Sequence, residues 1–512
     1  MLGKRANRSP PRRAMTLTVK AGQLLMVDLP GPELDPDTAR HLSEHGIRAV
    51  CLFKRHIVSE AQLTRLCSEL RELLGPETLI AVDQEGGGVV RTDFWPFPPS
   101  ALALGAAQDL ALTKEVAAAN ARFLRSVGLN WNFAPVLDVN VNPLNPVIGD
   151  RAFGSDPLKV AEHGLASAEG LMEEGVAACA KHFPGHGDTA TDSHLTLPTV
   201  NRTRADLDRT ELLPFRLAAA AGMPAMMTAH IVFPALDAER PATLSPSILN
   251  GLLRREWGYE GVIVTDSMGM QAIDGNYGRG PAAVQALQAG ADMVMALGRR
   301  EVQLETLAAV QSELDSGRYD PQPALGRLSR LATRFPAERR DHPSASADAQ
   351  LFQHAWARGL STLGAVRRPV LGGPALLVVR REEVARNVSE AGLSARFLQR
   401  ALAGLYDLAL HEYDDPAGLD WPALRGRADT QGAALLLATT GRLRADFPGL
   451  KTEAAPDLHL CLWNPYAVLD VPAPALVTCG FRPEALTALR VFLAGEAEAG
   501  GRLPLTGLER AT

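Results

Sequence analysis

Eight short apolar runs recur along the first three hundred residues, at 23–28, 47–53, 78–83, 129–138, 176–182, 224–230, 261–266 and 291–297. Between them lie segments whose apolar residues are spaced three and four apart, as at 60–74, 109–127, 156–174, 245–257 and 282–289. Short apolar runs alternating with amphipathic helices predict strand-helix units whose strands pair in parallel. Eight such units match a (β/α)8 TIM barrel in number and length, with an open doubly wound sheet as the alternative. The barrel is favoured because polar residues gather at the C-terminal ends of the runs, namely Asp83, Asp138, Lys181, His182, His230 and Asp266. That rim is where barrels build their sites.

A further helical pattern spans 302–315, and the stretch 336–350 is rich in Pro, Ser, Ala and charge, the composition of a linker. Apolar runs at 375–379, 433–439, 458–463 and 475–478 then alternate with helical patterns at 382–390 and 483–493. They predict a smaller C-terminal α/β domain over 351–512, with 501–505 as its closing strand. The expected organisation is a disordered basic extension at 1–15, a barrel over 16–335, the linker, and this second domain. Met15 is an alternative start.

Composition narrows the class. The chain has 512 residues, 46% hydrophobic and 21% charged, with a net charge of −6, which suits a globular protein and supplies no basic footprint for nucleic acid or an anionic membrane. The five cysteines are odd in number, widely spaced and set in apolar runs, so they read as buried thiols; no CxxC pair suggests zinc. The basic N-terminus runs on without an apolar core of signal-peptide length, and no transmembrane run appears, so the expected compartment is the cytoplasm.

The densest chemistry lies in Lys181-His182-Phe183-Pro184-Gly185-His186-Gly187-Asp188-Thr189-Ala190-Thr191-Asp192-Ser193-His194. Its glycines and proline exclude a regular helix and predict a turn-rich loop leaving a strand. Each residue taken alone has a plainer reading: Asp266 as the cap of the next helix, Asp192 and His194 as a solvated loop, Lys181 and His182 as structural ion pairs with Asp138 or Glu85.

The segment closely resembles the KHFPGHGxxxxDSH signature of the glycoside hydrolase family 3 β-N-acetylglucosaminidases of the peptidoglycan-recycling type. Val82-Asp83-Gln84-Glu85-Gly86-Gly87, Gly149-Asp150-Arg151-Ala152-Phe153, Met227-Thr228-Ala229-His230 and Val264-Thr265-Asp266-Ser267-Met268 follow that family's order, and the resemblance covers roughly 20–335. It implies a retaining exo-β-N-acetylglucosaminidase with Asp266 as nucleophile and His194 as general acid/base oriented by Asp192. It also implies that Asp83, Arg91, Arg151, Lys181 and His182 hold the terminal sugar. The partner is then a small carbohydrate, a GlcNAc-containing glycan or muropeptide fragment, and no metal or organic cofactor is implied. A histidine acid/base is chemically apt, since imidazole exchanges protons near neutrality and a carboxylate neighbour stabilises its charged form. It would also spare an incoming phosphate the repulsion of a carboxylate. A phosphorylase or broader β-glycosidase of the same family therefore stands as an alternative, and a non-catalytic sugar-binding barrel as one of another class.

Two positions depart from the family pattern, Gly88 where arginine is frequent and His56 where asparagine is usual. His186 and Asp188 are expected to order the loop, His230 to wall the pocket, and Gly185 and Gly187 to make the loop mobile.

Overall fold

The computed structural model describes residues 19–192, 196–382 and 392–508. The barrel is closed. Its strands are β1 (Leu25–Val27), β2 (Ala49–Leu52), β3 (Leu79–Val82), β4 (Trp131–Asn132), β5 (Ala177–Phe183) and β6 (Ala225–Thr228), then β9 (Val262–Ser267) and β10 (Met293–Met295), after an antiparallel hairpin of β7 (Val232–Phe233) and β8 (Asp237–Pro241). All eight barrel strands run parallel, and β1 pairs with β10 through Leu25 opposite Val294, so there is no open edge. The expected barrel is the one observed, and the doubly wound alternative for this part of the chain falls with that pairing.

The helices form where local chemistry allows. The helix Glu60–Leu74 starts where the Ser59 side chain accepts the Gln62 N–H, and it turns Leu63, Leu66 and Leu70 into the core. Burying each such leucine contributes about 1.5–3 kcal/mol. The helix Leu110–Val127 is capped by Asp109 and stopped by Gly128 at φ 94°, and Pro157–Glu173 by Asp156 in the same way as its neighbour. All five cysteines are buried and free.

The second sheet contains β11 (Ser361–Leu363), β12 (Pro374–Arg380), β13 (Asp407–Tyr413), β14 (Ala434–Thr439), β15 (Leu458–Cys461) and β16 (Ala475–Val477). Its spatial order is β11-β16-β15-β14-β12-β13, parallel throughout except for β11 against β16. The chain passes from β12 to one side and returns on the other. This leaves a crevice between the ends of β12 and β14, the place where open parallel sheets bind ligands. The helical pattern at 382–390 falls on residues outside those described except for Glu382 itself.

Two expectations are corrected. The segment 501–505 is not a strand: Gly501 makes a single bridge to Ser361, and the chain then crosses to the barrel, where Pro504 accepts the Ser155 N–H at 2.9 Å. Within 336–350 a helix, Ala345–Gly359, already begins and lays Phe352 and Ala355 into the barrel core. The second domain sits on the barrel through specific bonds, with Ser100 Oγ donating to Cys479 O at 2.7 Å, Arg482 Nε to Gly87 O at 2.7 Å and Tyr466 OH to Asn140 O at 2.8 Å.

Candidate active site

The C-terminal ends of the barrel strands surround a cavity of about 460 Å³. β3 leads directly into Asp83, β5 carries Lys181 and His182, and β9 carries Asp266 near its end; all four line the cavity. Arg151 enters from the turn Gly149–Arg151 and Arg91 from the loop after β3.

Five charged groups make one buried network. Lys181 Nζ lies 2.6 Å from an oxygen of Asp83 and 2.6 Å from one of Glu85. Arg151 grips both Glu85 oxygens at 2.8 and 2.9 Å, while Arg91 lies 3.4 Å from the second Asp83 oxygen. Taking carboxylates out of water is costly unless such pairing answers them. Burial alone would raise both carboxyls. Lys181 and Arg91 outweigh it for Asp83, and Arg151 and Lys181 for Glu85, so both sit below the ordinary range. Lys181, which burial would lower, is held above its usual value by the same two acids. The network therefore stays charged at neutral pH. Among the described residues, two of the three Lys181 N–H bonds are taken by carboxylates.

His182 and Asp138 form a second group. Arg151 Nη2 lies 3.2 Å from His182 Nε2, and a guanidinium can only donate, so Nε2 accepts and the ring proton sits on Nδ1, 2.7 Å from Asp138 Oδ2. The other Asp138 oxygen accepts the backbone N–H of His182 at 3.1 Å and of His186 at 2.6 Å. Burial would raise the Asp138 carboxyl, but His182 and its other donors keep it below its ordinary value. One buried acid thus fixes a cavity histidine and the start of the following loop.

Asp266 is half-exposed to the cavity at the end of an otherwise buried strand. Its Oδ1 accepts the Ser267 N–H at 2.7 Å. His230 donates from Nε2 to the Ser267 carbonyl at 3.0 Å and accepts at Nδ1 from the Thr243 hydroxyl at 2.8 Å. It supports the strand end from behind and is not on the cavity wall, unlike the expectation for it.

The loop after β5 is tightly held as far as Thr189. His186 Nδ1 pairs with Thr189 Oγ1 at 2.8 Å, Asn145 Nδ2 donates to His186 O at 2.8 Å, and Arg202 Nε donates to Asp188 at 2.6 Å. These contacts give His186 and Asp188 the ordering role expected of them. The glycines have a packing reason: at Gly185 a side chain would sit 2.8 Å from Glu211 Cβ, and at Gly187 it would enter the Val139 carbonyl. Asp192 is buried and lies away from the 460 Å³ cavity, on the wall of a neighbouring one. His194 lies outside the described residues.

Beneath this loop Glu211 is fully buried, and among the described residues neither of its oxygens accepts a hydrogen bond; Arg202 lies 3.5 Å away. Burial raises its carboxyl to about 7. A carboxyl raised on folding holds its proton more tightly in the folded state, so stability is full below the unfolded value of about 4.3 and is lost as pH rises through about 7. Glu211→Gln is expected to match the wild type in thermal midpoint at about pH 4 and to exceed it by a few degrees at about pH 8. A gap independent of pH would contradict this reading.

The two departures have local explanations. His56 accepts the Phe53 N–H at 2.9 Å and donates to Leu29 O at 2.8 Å, with burial pushing its pKa down to about 4, so a neutral ring ties two rim loops together. At Gly88 a Cβ would lie 3.4 Å from both Asp150 and the Trp463 ring. Trp463, from the second domain, donates to Asp150 at 3.1 Å. A long side chain at position 88 would compete for that space.

Glu85, two positions beyond Asp83 in the same motif, was expected only as an ion-pair partner, and it holds Lys181 and Arg151 in that way. Asp28 and Arg55, paired with each other on the cavity rim, were missed. Nothing in the sequence links those two, because they belong to separate strand ends.

The sequence model of the glycosyl hydrolase family 3 N-terminal domain matches residues 16–332. The chain belongs to glycosyl hydrolase family 3. A β-hexosaminidase of Thiobacillus denitrificans is 39% identical over 317 residues, which is 60% of this chain and 85% of that protein. A family 3 β-N-acetylglucosaminidase from Paenibacillus sp. superposes with a TM-score of 0.84 at 31% identity, covering 96% of this chain and 99% of the other. NagZ from Neisseria gonorrhoeae, solved with N-trifluoroacetyl-D-glucosamine, is 33% identical with a TM-score of 0.56 over 65% of this chain and 95% of that one. As a family 3 chain the protein is a glycoside hydrolase, which removes the non-catalytic binding protein from consideration. Among the described residues no helix is long and apolar enough to cross a membrane.

Proposed function

We propose that this protein is a retaining exo-β-N-acetylglucosaminidase that removes terminal β-linked GlcNAc from GlcNAc-MurNAc fragments of peptidoglycan in the cytoplasm. The observation that carries the reading is the charged network of Asp83, Glu85, Lys181 and Arg151 around a cavity into which Asp266 projects. Such a network offers fixed donors and acceptors to the hydroxyls and acetamido group of one terminal sugar. The β-hexosaminidase and β-N-acetylglucosaminidase relatives support the same substrate class.

In this reading the Asp266 carboxylate attacks the anomeric carbon while the bond to the leaving oxygen breaks and His194 gives that oxygen its proton. Asp192 is a positioning residue for His194, stabilising the imidazolium. In the second half, neutral His194 takes a proton from water as the water attacks the same carbon, and the Asp266 carboxylate is released. Asp83, Arg91, Arg151, Lys181 and His182 hold the sugar.

Hydrolysis of an aryl β-N-acetylglucosaminide against the aryl β-glucoside, with and without phosphate, tests the reading. Turnover of the acetamido sugar with no acceleration by phosphate is expected. Equal turnover of both sugars would make the protein a broader β-glycosidase, and a sugar phosphate product would make it a phosphorylase.

A further inference from the structure

A second cavity, of about 710 Å³, opens between the barrel and the second sheet. It lies at the crevice where β12 and β14 end, with Arg380 on one side and the residues after Thr439 on the other. Tyr413, Phe447 and Trp463 give it an aromatic wall, and Asp192 lines it from the loop after β5. Its size is that of a small-ligand site.

Arg442 joins the two cavities. It lines the larger one, and its Nη2 donates to the Val147 carbonyl at 2.5 Å, while the same carbonyl accepts from Arg151 Nη1 at 3.2 Å and Val147 lines the smaller cavity. Arg444 beside it is committed to Asp470, and the nearby Asp150 is bonded to Trp463 and to the Gly88 N–H at 3.2 Å; Asp150 and Asp192 both lie close enough to feel the Arg442 charge, though neither is bonded to it. The one acceptor that Arg442 holds among the described residues is a neutral carbonyl. Burial and the neighbouring Arg151 push its pKa down to about 10, so it remains a cation at neutral pH.

A nucleophile and a leaving group occupy opposite sides of the reacting carbon. Asp266 lines the smaller cavity and Asp192 the larger, so the side where the departing oxygen must meet its proton donor is the side facing the second domain. Building on the acid/base role given above to Asp192 and His194, we infer that the larger cavity receives the leaving group and that Arg442 binds a carboxylate carried by it. The aromatic wall then packs against the apolar parts of that group, and Glu382 across the cavity disfavours a second anion there. The second domain is a specificity element in this view.

The test compares two disaccharides that differ by one carboxylate: GlcNAc β-1,4-linked to N-acetylmuramic acid, and N,N′-diacetylchitobiose. An aryl β-N-acetylglucosaminide serves as a third substrate without a second sugar. Arg442→Met is expected to lower kcat/KM on the acidic disaccharide by ~10–100-fold and to leave the other two within about 3-fold, as expected for losing a charged hydrogen bond to one substrate. Arg442→Lys, which keeps the charge without the fork, should fall between. Equal losses on all three substrates, or none on any, would overturn the inference. Calorimetric binding of free N-acetylmuramic acid against free N-acetylglucosamine separates this from the reaction itself: an acid preference present in the wild type and absent in Arg442→Met is expected even if no glycoside is turned over, and equal binding by the two proteins would overturn it.

Discussion

Replacing Asp266 by alanine is expected to lower turnover of an aryl β-N-acetylglucosaminide by roughly 10⁴-fold or more, because in the proposed mechanism it removes the group that forms the covalent intermediate. The loss should appear in kcat, with binding of N-acetylglucosamine changed little, since the proposed sugar-holding network lies on other strands. The fold should tolerate the change. Asp266 is part-exposed at a strand end, and it accepts the N–H of the residue that follows it, a local bond, so circular dichroism and thermal midpoint are expected to stay close to wild type. Residual activity within 10-fold of wild type would assign the nucleophile elsewhere.

Lys181→Ala is the second large effect, and it should strike stability and activity together. The Lys181 side chain is 2% exposed and answers two carboxylates, with Arg91 left on Asp83 and Arg151 on Glu85 after its removal. Breaking a buried ionic group by deleting one partner typically costs about 3–5 kcal/mol. The surviving arginines place this case toward the lower end of that range, measured as a drop in denaturant midpoint. In the proposed mode of binding the variant loses a charged donor to the sugar and disturbs two acids beside it, so kcat/KM should fall by ~100-fold or more. Because Lys181 holds Asp83 and Glu85 below their ordinary range, those carboxyls should titrate higher in the variant, and its stability should decline at a higher pH on acidification than that of the wild type. Unchanged acid stability would show that Arg91 and Arg151 alone suffice.

The barrel was legible because most of its strands open on a short apolar run buried on both faces and meet a polar residue near the C-terminal rim. β3 and β5 illustrate it: every residue from Leu79 to Val82 and from Ala177 to Phe183 is buried, and the cavity begins where that apolar run gives way. β13 was missed for the opposite reason. It is an edge strand, half-buried along most of its length, and its sequence Asp-Leu-Ala-Leu-His-Glu-Tyr carries no continuous apolar run. The stretch 336–350 read as a linker because of its Pro and Ser, yet its alanines favour a helix, and Arg122 anchors that helix through Asp348 at 2.6 Å.

The site divides along the same line. Asp83, Arg91, Arg151, Lys181, His182 and Asp266 converge on one cavity as the motifs implied. What the motifs could not convey is reach between distant parts of the chain. Trp463 meets Asp150, and Arg442 meets Val147, across some three hundred residues of sequence, and a single sequence holds no signal for such pairs. His230 shows a subtler limit. Its position after β6 suggests a cavity wall, but Thr243 and the Ser267 carbonyl claim both ring nitrogens and turn it into a support for Asp266.

The most direct test of the central claim is to trap the intermediate. A fluorinated β-N-acetylglucosaminyl donor that forms the glycosyl-enzyme quickly and releases it slowly would be incubated with the protein, which would then be digested and mapped by mass spectrometry. One added sugar is expected on the peptide that contains Asp266, and none in Asp266→Ala. A label on any other residue, or steady turnover of the donor with no labelled peptide, would contradict it.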